Sequence, residues 1–274
     1  MKLKVFHINA FAKHLTGGNP ACVIKLNQWL PKMTMLAISK ENAVAETAFF
    51  VESDDHIHLR WFTPEIEMDL CGHATLATAH CLYAHLGYSK KIIYFETVSG
   101  QLKVRCEEGF YKMEFPTREG IPAVLPASIL NALNIAPKEV YKSRDYLLVY
   151  EAQKDVESIV IERSIFYKIN LDPGGVIVTA PGNTCDFVSR FFTPQASILE
   201  DPVTGSAHCT LVPYWAKKFR KKEMKALQIS ERGGEIECIY NEENIVLSGS
   251  AITCLLYTSP SPRDRSLSRM PSSA

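Results

Sequence analysis

The chain writes one phrase twice, and that repetition constrains its fold more than any other feature. Phe62-Thr63-Pro64 is followed by Asp69-Leu70-Cys71-Gly72-His73-Ala74-Thr75-Leu76, and Phe192-Thr193-Pro194 by Asp201-Pro202-Val203-Thr204-Gly205-Ser206-Ala207-His208. Each copy reads as a strand, a turn and a glycine that opens a helix of small residues. The copies lie too far apart for a solenoid period and point to two related half-domains facing each other. A helix N-terminus presents unpaired N–H groups and the positive end of its dipole, so two of them offered from opposite sides suit a carboxylate. The expectation is a small acidic metabolite held in a cleft between the halves.

Composition narrows the class. At 274 residues the chain has room for one large domain or two ordinary ones, and a hydrophobic share of 46% suits a globular core. Lys plus Arg and Asp plus Glu are equal at 30 each, which gives no basic footprint for nucleic acid. The first residues, Met1-Lys2-Leu3-Lys4-Val5-Phe6-His7, read as a strand rather than a signal peptide. No apolar run reaches the length of a membrane helix. Eight cysteines without a secretory signal read as reduced thiols. The reading is a cytoplasmic protein with neither nucleic-acid nor membrane partner.

Periodicity places the elements. Short strands are expected at 5–8 and 21–25, joined by the Gly17-Gly18-Asn19-Pro20 turn, and a helix at 31–42. Glu46 stands at the start of a strand over 47–52, whose hairpin partner is 56–62. Residues 72–86 are apolar nearly all round and predict a buried helix. Strands follow at 92–97, 101–106 and 111–115. Three prolines and a glycine mark a boundary at 116–126. A short helix is expected at 127–133, strands at 146–150, 175–180 and 186–192, and an uncertain strand within 156–166. The second central helix starts near Gly205 and is kinked or shortened by Pro213. Strands at 235–240 and 244–250 close that half. The domains are thus 1–115, a linker, and 127–254. Past Leu255 the chain turns to Ser, Pro and Arg, and 255–274 reads as a non-native or disordered tail that packs nowhere.

Several residues carry chemistry, each with an ordinary alternative. Glu46 stands in the apolar run 43–51, where desolvation raises a carboxylate toward the range useful for proton transfer; a surface glutamate at a strand start is the plain reading. Asp201 precedes the second helix, where a negative charge favours the dipole. His73 follows Gly72 at the first helix mouth, a place for a hydrogen-bonded structural imidazole or a proton donor. Its counterpart in the repeat is Ser206. The Gly17-Gly18 pair is a tight turn and, without Lys-Ser or Lys-Thr after it, no P-loop. Cys71, His73, His80, Cys81 and His208 could serve a metal, but their spacing lacks the tight pairs that zinc prefers. No metal is expected.

Six stretches occur in the order of one known family: Gly17-Gly18-Asn19-Pro20-Ala21, Ala45-Glu46-Thr47-Ala48-Phe49, Arg60-Trp61-Phe62-Thr63-Pro64, Cys71-Gly72-His73-Ala74-Thr75-Leu76-Ala77, Glu200 through His208, and Gln228-Ile229-Ser230-Glu231-Arg232-Gly233-Gly234. On these the chain resembles the phenazine-biosynthesis PhzF-like proteins, relatives of diaminopimelate epimerase, from residue 5 to about 254. The resemblance implies an α+β fold of two similar halves, each a strongly curved, mostly antiparallel sheet around a central buried helix. It implies a homodimer and a cofactor-independent isomerase that moves a proton within a small carboxylate-bearing metabolite. Glu46 then matches the catalytic acid/base, with Asp201 and His73 assisting. Gly18, Asn19, Cys71, Gly72, Thr204, Gly205 and Ser206 match substrate-binding positions. The family usually has Asp where Asn9 stands here.

In the two-base epimerases that share this fold, a cysteine precedes each helix-opening glycine. Here the first is Cys71 and the second is Thr204, whose hydroxyl is far too weak an acid for that role. An amino-acid racemase or epimerase is therefore disfavoured. A non-catalytic metabolite-binding or protein-interaction module on the same scaffold is the other alternative, opposed by the joint retention of Glu46, His73, Asp201 and Ser206. The family's last strand, which returns to the first half, is expected to be missing.

Overall fold

The computed structural model describes residues 2–53, 56–171, 174–194 and 198–260. Its contacts divide the described chain into two compact units: 2–10, 20–111 and 250–260 form the first, and 11–19 with 112–249 the second. The contiguous division 1–115 and 127–254 of the sequence reading thus gives each unit's borrowed segment to the other.

The first unit opens with β1 (Lys2–Ala10), β2 (Asn19–Leu26), helix α1 (Lys32–Asn42), β3 (Glu46–Glu52), β4 (Ile57–Phe62) and the short β5 (Glu67–Met68). Helix α2 (Gly72–His85) follows, then β6 (Ile92–Thr97) and β7 (Gly100–Glu107). β2 and β3 pair in parallel, β3 and β4 antiparallel, β4 and β6 in parallel, β6 and β7 antiparallel. Parallel strands covered on both faces read as unbroken apolar runs. Ala21-Cys22-Val23-Ile24 in β2 and Ala48-Phe49-Phe50 in β3 are such runs, all fully buried. α2 packs on β1 and β3 and is buried from Gly72 through Ala79, which is why its sequence lacks a polar face.

The second unit repeats the order. It comprises β8 (Phe110–Pro116), β9 (Ile121–Pro122), α3 (Ala127–Leu130), β10 (Glu139–Lys142), β11 (Tyr146–Val149), α4 (Gln153–Glu157), α5 (Arg163–Phe166), β12 (Val176–Pro181), β13 (Phe187–Phe192), β14 (Glu200–Asp201), α6 (Gly205–Phe219), β15 (Glu223–Gln228), β16 (Gly234–Tyr240) and β17 (Asn244–Gly249). β11 and β12 are parallel, β12 and β13 antiparallel, β13 and β15 parallel, β15 and β16 antiparallel. That is the strand pattern of the first unit, with α6 in the place of α2. Gly175 enters β12 at a point no side chain could share: a Cβ there would lie 2.7 Å from the Phe192 carbonyl oxygen. The uncertain strand at 156–166 is instead the end of α4, a loop and α5; Val156 and Phe166 plug the core while Val160 is exposed.

The expected shortening of the second central helix and the missing last strand are both corrected. Pro213 lies inside α6, and the helix runs unbroken past it. Proline removes the N–H that would reach the Cys209 carbonyl; the backbone N–H of Arg118 takes that oxygen at 2.9 Å instead. The last strand is also present. β18 (Ala251–Pro260) returns to the first unit and pairs antiparallel with β1 from Ala10↔Ala251 to Lys2↔Pro260, with a register shift between His7 and Ile8. A ladder needs backbone groups more than buried side chains, so the exposure of Leu255, Leu256 and Tyr257 did not forbid it. Residues 261–274 of the expected tail lie outside the described residues. Among the described residues no helix is long and apolar enough to cross a membrane.

Candidate active site

Both copies of the repeated phrase build the same corner. β4 pairs with β5 through Phe62↔Glu67, and β13 with β14 through Phe192↔Glu200. The backbone N–H of Thr63 donates to the Ile66 carbonyl, and that of Thr193 to the Leu199 carbonyl, each at 2.9 Å. An arginine staples each corner: Arg60 Nε to Glu67 at 2.6 Å, and Arg190 Nε to Glu200 at 2.7 Å. Beyond the corner the chain stays extended at Cys71 (φ −144°) and Thr204 (φ −112°), then enters α2 and α6 at Gly72 and Gly205. Neither preceding side chain caps its helix. The positive end of a helix dipole opened in this way suits an anion.

In the first unit the structure brings Glu46, Cys71 and His73 together. Glu46 opens β3, and Cys71 and His73 flank Gly72. Nε2 of His73 lies 2.9 Å from Oε2 of Glu46, and Cys71 Sγ is 3.6 Å from His73 Nδ1. Cys71 and His73 are buried, while the Glu46 side chain keeps 16% of its surface exposed. Burial works against charge on His73, but Cys71 and the Glu46 carboxylate beside the ring more than reverse it and hold the imidazole well above its ordinary titration range. Burial pushes the Cys71 thiol up. His73 thus faces the Glu46 carboxyl through Nε2 and has the Cys71 sulfur beside Nδ1.

The second unit gathers Asn19, Asp201 and Thr204. Asn19 Nδ2 donates to Asp201 Oδ1 at 2.7 Å and to the Val203 carbonyl at 2.9 Å. The Thr204 hydroxyl donates to Asp201 Oδ2. Gln228 completes the lattice: its Oε1 accepts from the Thr204 N–H, and its Nε2 donates to the Asp201 carbonyl, each at 2.8 Å. Gly18 adopts φ +71°, a left-handed turn open to glycine. Its carbonyl accepts from Arg232 Nε at 2.8 Å and its N–H donates to the Gly233 carbonyl. Ser206 stands apart from this lattice, its Oγ accepting from Arg144 at 3.0 Å.

Gln228, Arg232 and Arg144 are thus positioning residues that the sequence reading did not single out. The first two lay within a quoted motif stretch; Arg144 had no local signal, being 62 residues from Ser206. Of the residues weighed from the sequence as metal ligands, Cys71 and His73 come together, beside Glu46, while His80 and His208 have other partners. His80 is engaged by Tyr111 at 3.0 Å and Thr253 at 2.9 Å. His208 is buried in the second unit with Nδ1 donating to the Thr204 carbonyl at 2.8 Å, and burial lowers it to about 4.

Known proteins share this architecture. The family model described as phenazine biosynthesis-like protein, PhzC-PhzF, matches residues 8–255. A Pseudomonas aeruginosa protein named as an uncharacterized isomerase is 44% identical over 252 residues, 92% of this chain and 96% of the relative. A phenazine biosynthesis-like domain-containing protein of Mus musculus is 34% identical, covering 93% and 98%. The crystal structure of a PhzF-family protein from Enterococcus faecalis superposes with a TM-score of 0.90 at 39% identity, over 95% of this chain and all of that one. A hydroxyproline epimerase from Agrobacterium vitis, at 9% identity and a TM-score of 0.58, shares the fold. The doubled corner, the two buried glycine-opened helices and this match along nearly the whole length place the chain in the PhzC/PhzF phenazine biosynthesis-like family.

Proposed function

We propose that the protein is a cofactor-independent isomerase that moves a proton within a small carboxylate-bearing metabolite. The observation that carries this reading is the Glu46–His73 pair, with Nε2 2.9 Å from Oε2 at the mouth of a buried helix. Glu46 takes the proton from an activated carbon as general base, and the imidazolium of His73 supplies one as general acid. A carboxylate base beside an imidazole that its neighbours hold above its ordinary range allows such an acid/base division of labour. Uncapped N–H groups at Gly72 or Gly205 receive the substrate carboxylate. Asp201, held by Asn19, Thr204 and Gln228, orients the substrate. Relatives named as isomerases support the reaction class.

A two-thiol racemase is disfavoured. Thr204 stands where the second thiol would be needed, and its hydroxyl proton is committed to Asp201. The proton therefore moves between positions of one molecule, an allylic or keto–enol shift.

Solvent exchange tests the reading. The protein in heavy water with a panel of unsaturated, hydroxy and amino acids is expected to incorporate deuterium into a member of the panel. Glu46→Gln is expected to lower that rate by about 10²–10⁴-fold while ligand binding persists. Exchange unchanged in Glu46→Gln would sink the assignment, and ligand binding without any exchange would favour a binding module.

A further inference from the structure

We propose that a cavity bounded by α6 and β10 in the second unit binds an aliphatic diamine, one ammonium group on the Glu139 carboxylate and the other on that of Glu119. The cavity has a volume of about 330 Å³, and both glutamates line it together with Tyr141 and Tyr214. Leu147 and Pro213, both buried, give it an apolar side. Segment 118–120 lies against α6 and β10 because position 120 has no side chain. A Cβ there would come within 3.0 Å of Tyr141 Cβ and 3.5 Å of Thr210 Cγ2.

Glu139 is the fixed anchor. Its Oε2 accepts from the Tyr141 hydroxyl at 2.9 Å and the Tyr214 hydroxyl at 3.1 Å, and the two rings stand edge to face with centroids 5.2 Å apart. The Lys218 ammonium, and after it the two hydroxyls, hold this carboxyl below its ordinary range, so it is an anion at neutral pH. A carboxylate beside aromatic faces is a surrounding that suits an ammonium group. Glu119 offers the second carboxylate, its Oε1 accepting from the Tyr240 hydroxyl at 3.2 Å.

The chain's own side chains show the fit. Lys218 Nζ donates to Glu139 Oε1 at 2.9 Å and stands 5.9 Å over the Tyr214 ring, while Lys217 Nζ donates to Glu119 Oε2 at 2.6 Å. Neighbouring lysines thus set two ammonium groups on two carboxylates at one cavity, the pattern a diamine copies. They are weak competitors: their side chains are 51% and 59% exposed, and ion pairs on long exposed stems contribute little. A diamine returns both lysine heads to water and covers the apolar side of the cavity with its methylenes. A monoamine meets one carboxylate only, and a dicarboxylate is repelled by both. The claim does not rest on the isomerase reading, since none of these groups is assigned to proton transfer or to substrate.

Calorimetric titration of the full chain with 1,4-diaminobutane at fixed ionic strength tests the site. One equivalent is expected to bind, and 1-aminobutane should bind at least about tenfold more weakly. Glu139→Gln should weaken the diamine by at least about tenfold with the circular dichroism unchanged. Glu119→Gln, at the more exposed carboxylate, should reduce diamine affinity to that of the monoamine. Lys218→Ala should tighten binding, because an internal competitor is gone. No binding at roughly millimolar diamine, binding unchanged in both glutamate variants, or binding weakened by Lys218→Ala overturns the site. Equal affinity for the monoamine overturns the two-headed assignment.

Discussion

The openings of α2 and α6 share backbone, corner and staple, yet they carry opposite chemistry. At α2, His73 faces the Glu46 carboxyl and the Cys71 thiol, their donor atoms within 4.8 Å of one another. At α6 the same positions hold Thr204 and Ser206, tied by Asp201, Gln228 and Arg144 into neutral and charge-assisted hydrogen bonds. The histidine of the second copy has moved two residues along, to position 208, where it is buried, neutral and turned to its own helix. Duplication preserved the frame that presents a helix N-terminus. The first corner keeps a carboxyl, a thiol and an imidazole in contact, and the second holds hydroxyl, amide and carboxyl groups in hydrogen bonds.

Four substitutions sharpen that contrast, beginning with the two staples. Arg190 is bidentate to Glu200 and also donates to the Val156 and Ile159 carbonyls, with 15% of its side chain exposed. Arg60 is 29% exposed and bonds Glu67 through Nε. Arg190→Ala should cost about 3 kcal/mol by leaving Glu200 and two carbonyls unpaired, against about 1 kcal/mol for Arg60→Ala. Urea unfolding followed by tryptophan fluorescence reads the two units, because Trp29 and Trp61 belong to the first and Trp215 to the second. Equal losses would mean the two corners are energetically alike.

Thr204→Val probes the second corner. It removes the hydroxyl that donates to Asp201 and accepts from Gln228 at 3.2 Å, at a cost of about 1–2 kcal/mol. Weaker ligand binding with solvent exchange retained per bound ligand is the expected outcome in an exchange assay. A loss of exchange with binding intact would move the proton-transfer machinery to the second unit.

The smallest effect is the pH response of His208. Its proton affinity is depressed to about 4 by burial, so the unfolded chain binds a proton that the folded one does not. Its contribution to stability is full above the ordinary imidazole range, near 6.5, and is lost as pH falls toward 4. His208→Asn keeps a donor for the Thr204 carbonyl and should flatten this acid loss between pH 7 and 5 in unfolding experiments. His80, also lowered to about 4 by burial and by His85, responds in the same direction, so the variant flattens the curve only in part. An unchanged pH profile would show that His208 is not held neutral.

Much of this was readable from residues, and what was not has physical reasons. Apolar runs gave β2, β3 and α2 because burial on all sides leaves no polar period to misread. Glu46 and His73 were visible by type and motif, but their 2.9 Å contact joins β3 to α2 and has no period in the sequence. β15 was overlooked: Glu223, Lys225 and their neighbours alternate as a half-exposed strand whose order comes from parallel pairing to the distant β13. The Val156–Phe166 run looked like a strand since β-branched residues dominate it, while packing on β12 and β13 made α4 of its start. β18 was misjudged for the converse reason. Its order comes from the edge that β1 offers, and its own Leu255, Leu256 and Tyr257 remain largely in solvent.

That closing ladder also dictates a timetable. β1 leaves the ribosome well before its partner, which emerges roughly 240 residues later, a loop whose closure costs about 5 kcal/mol if the intervening chain is slack. Nearly all of the second unit is one uninterrupted stretch, 112–249, synthesised in between. Its own folding takes up that slack before β18 appears. Translation order thus makes the second-born unit the first to mature, and leaves the unit that carries Glu46 and His73 waiting for the last strand before its reactive corner can be assembled.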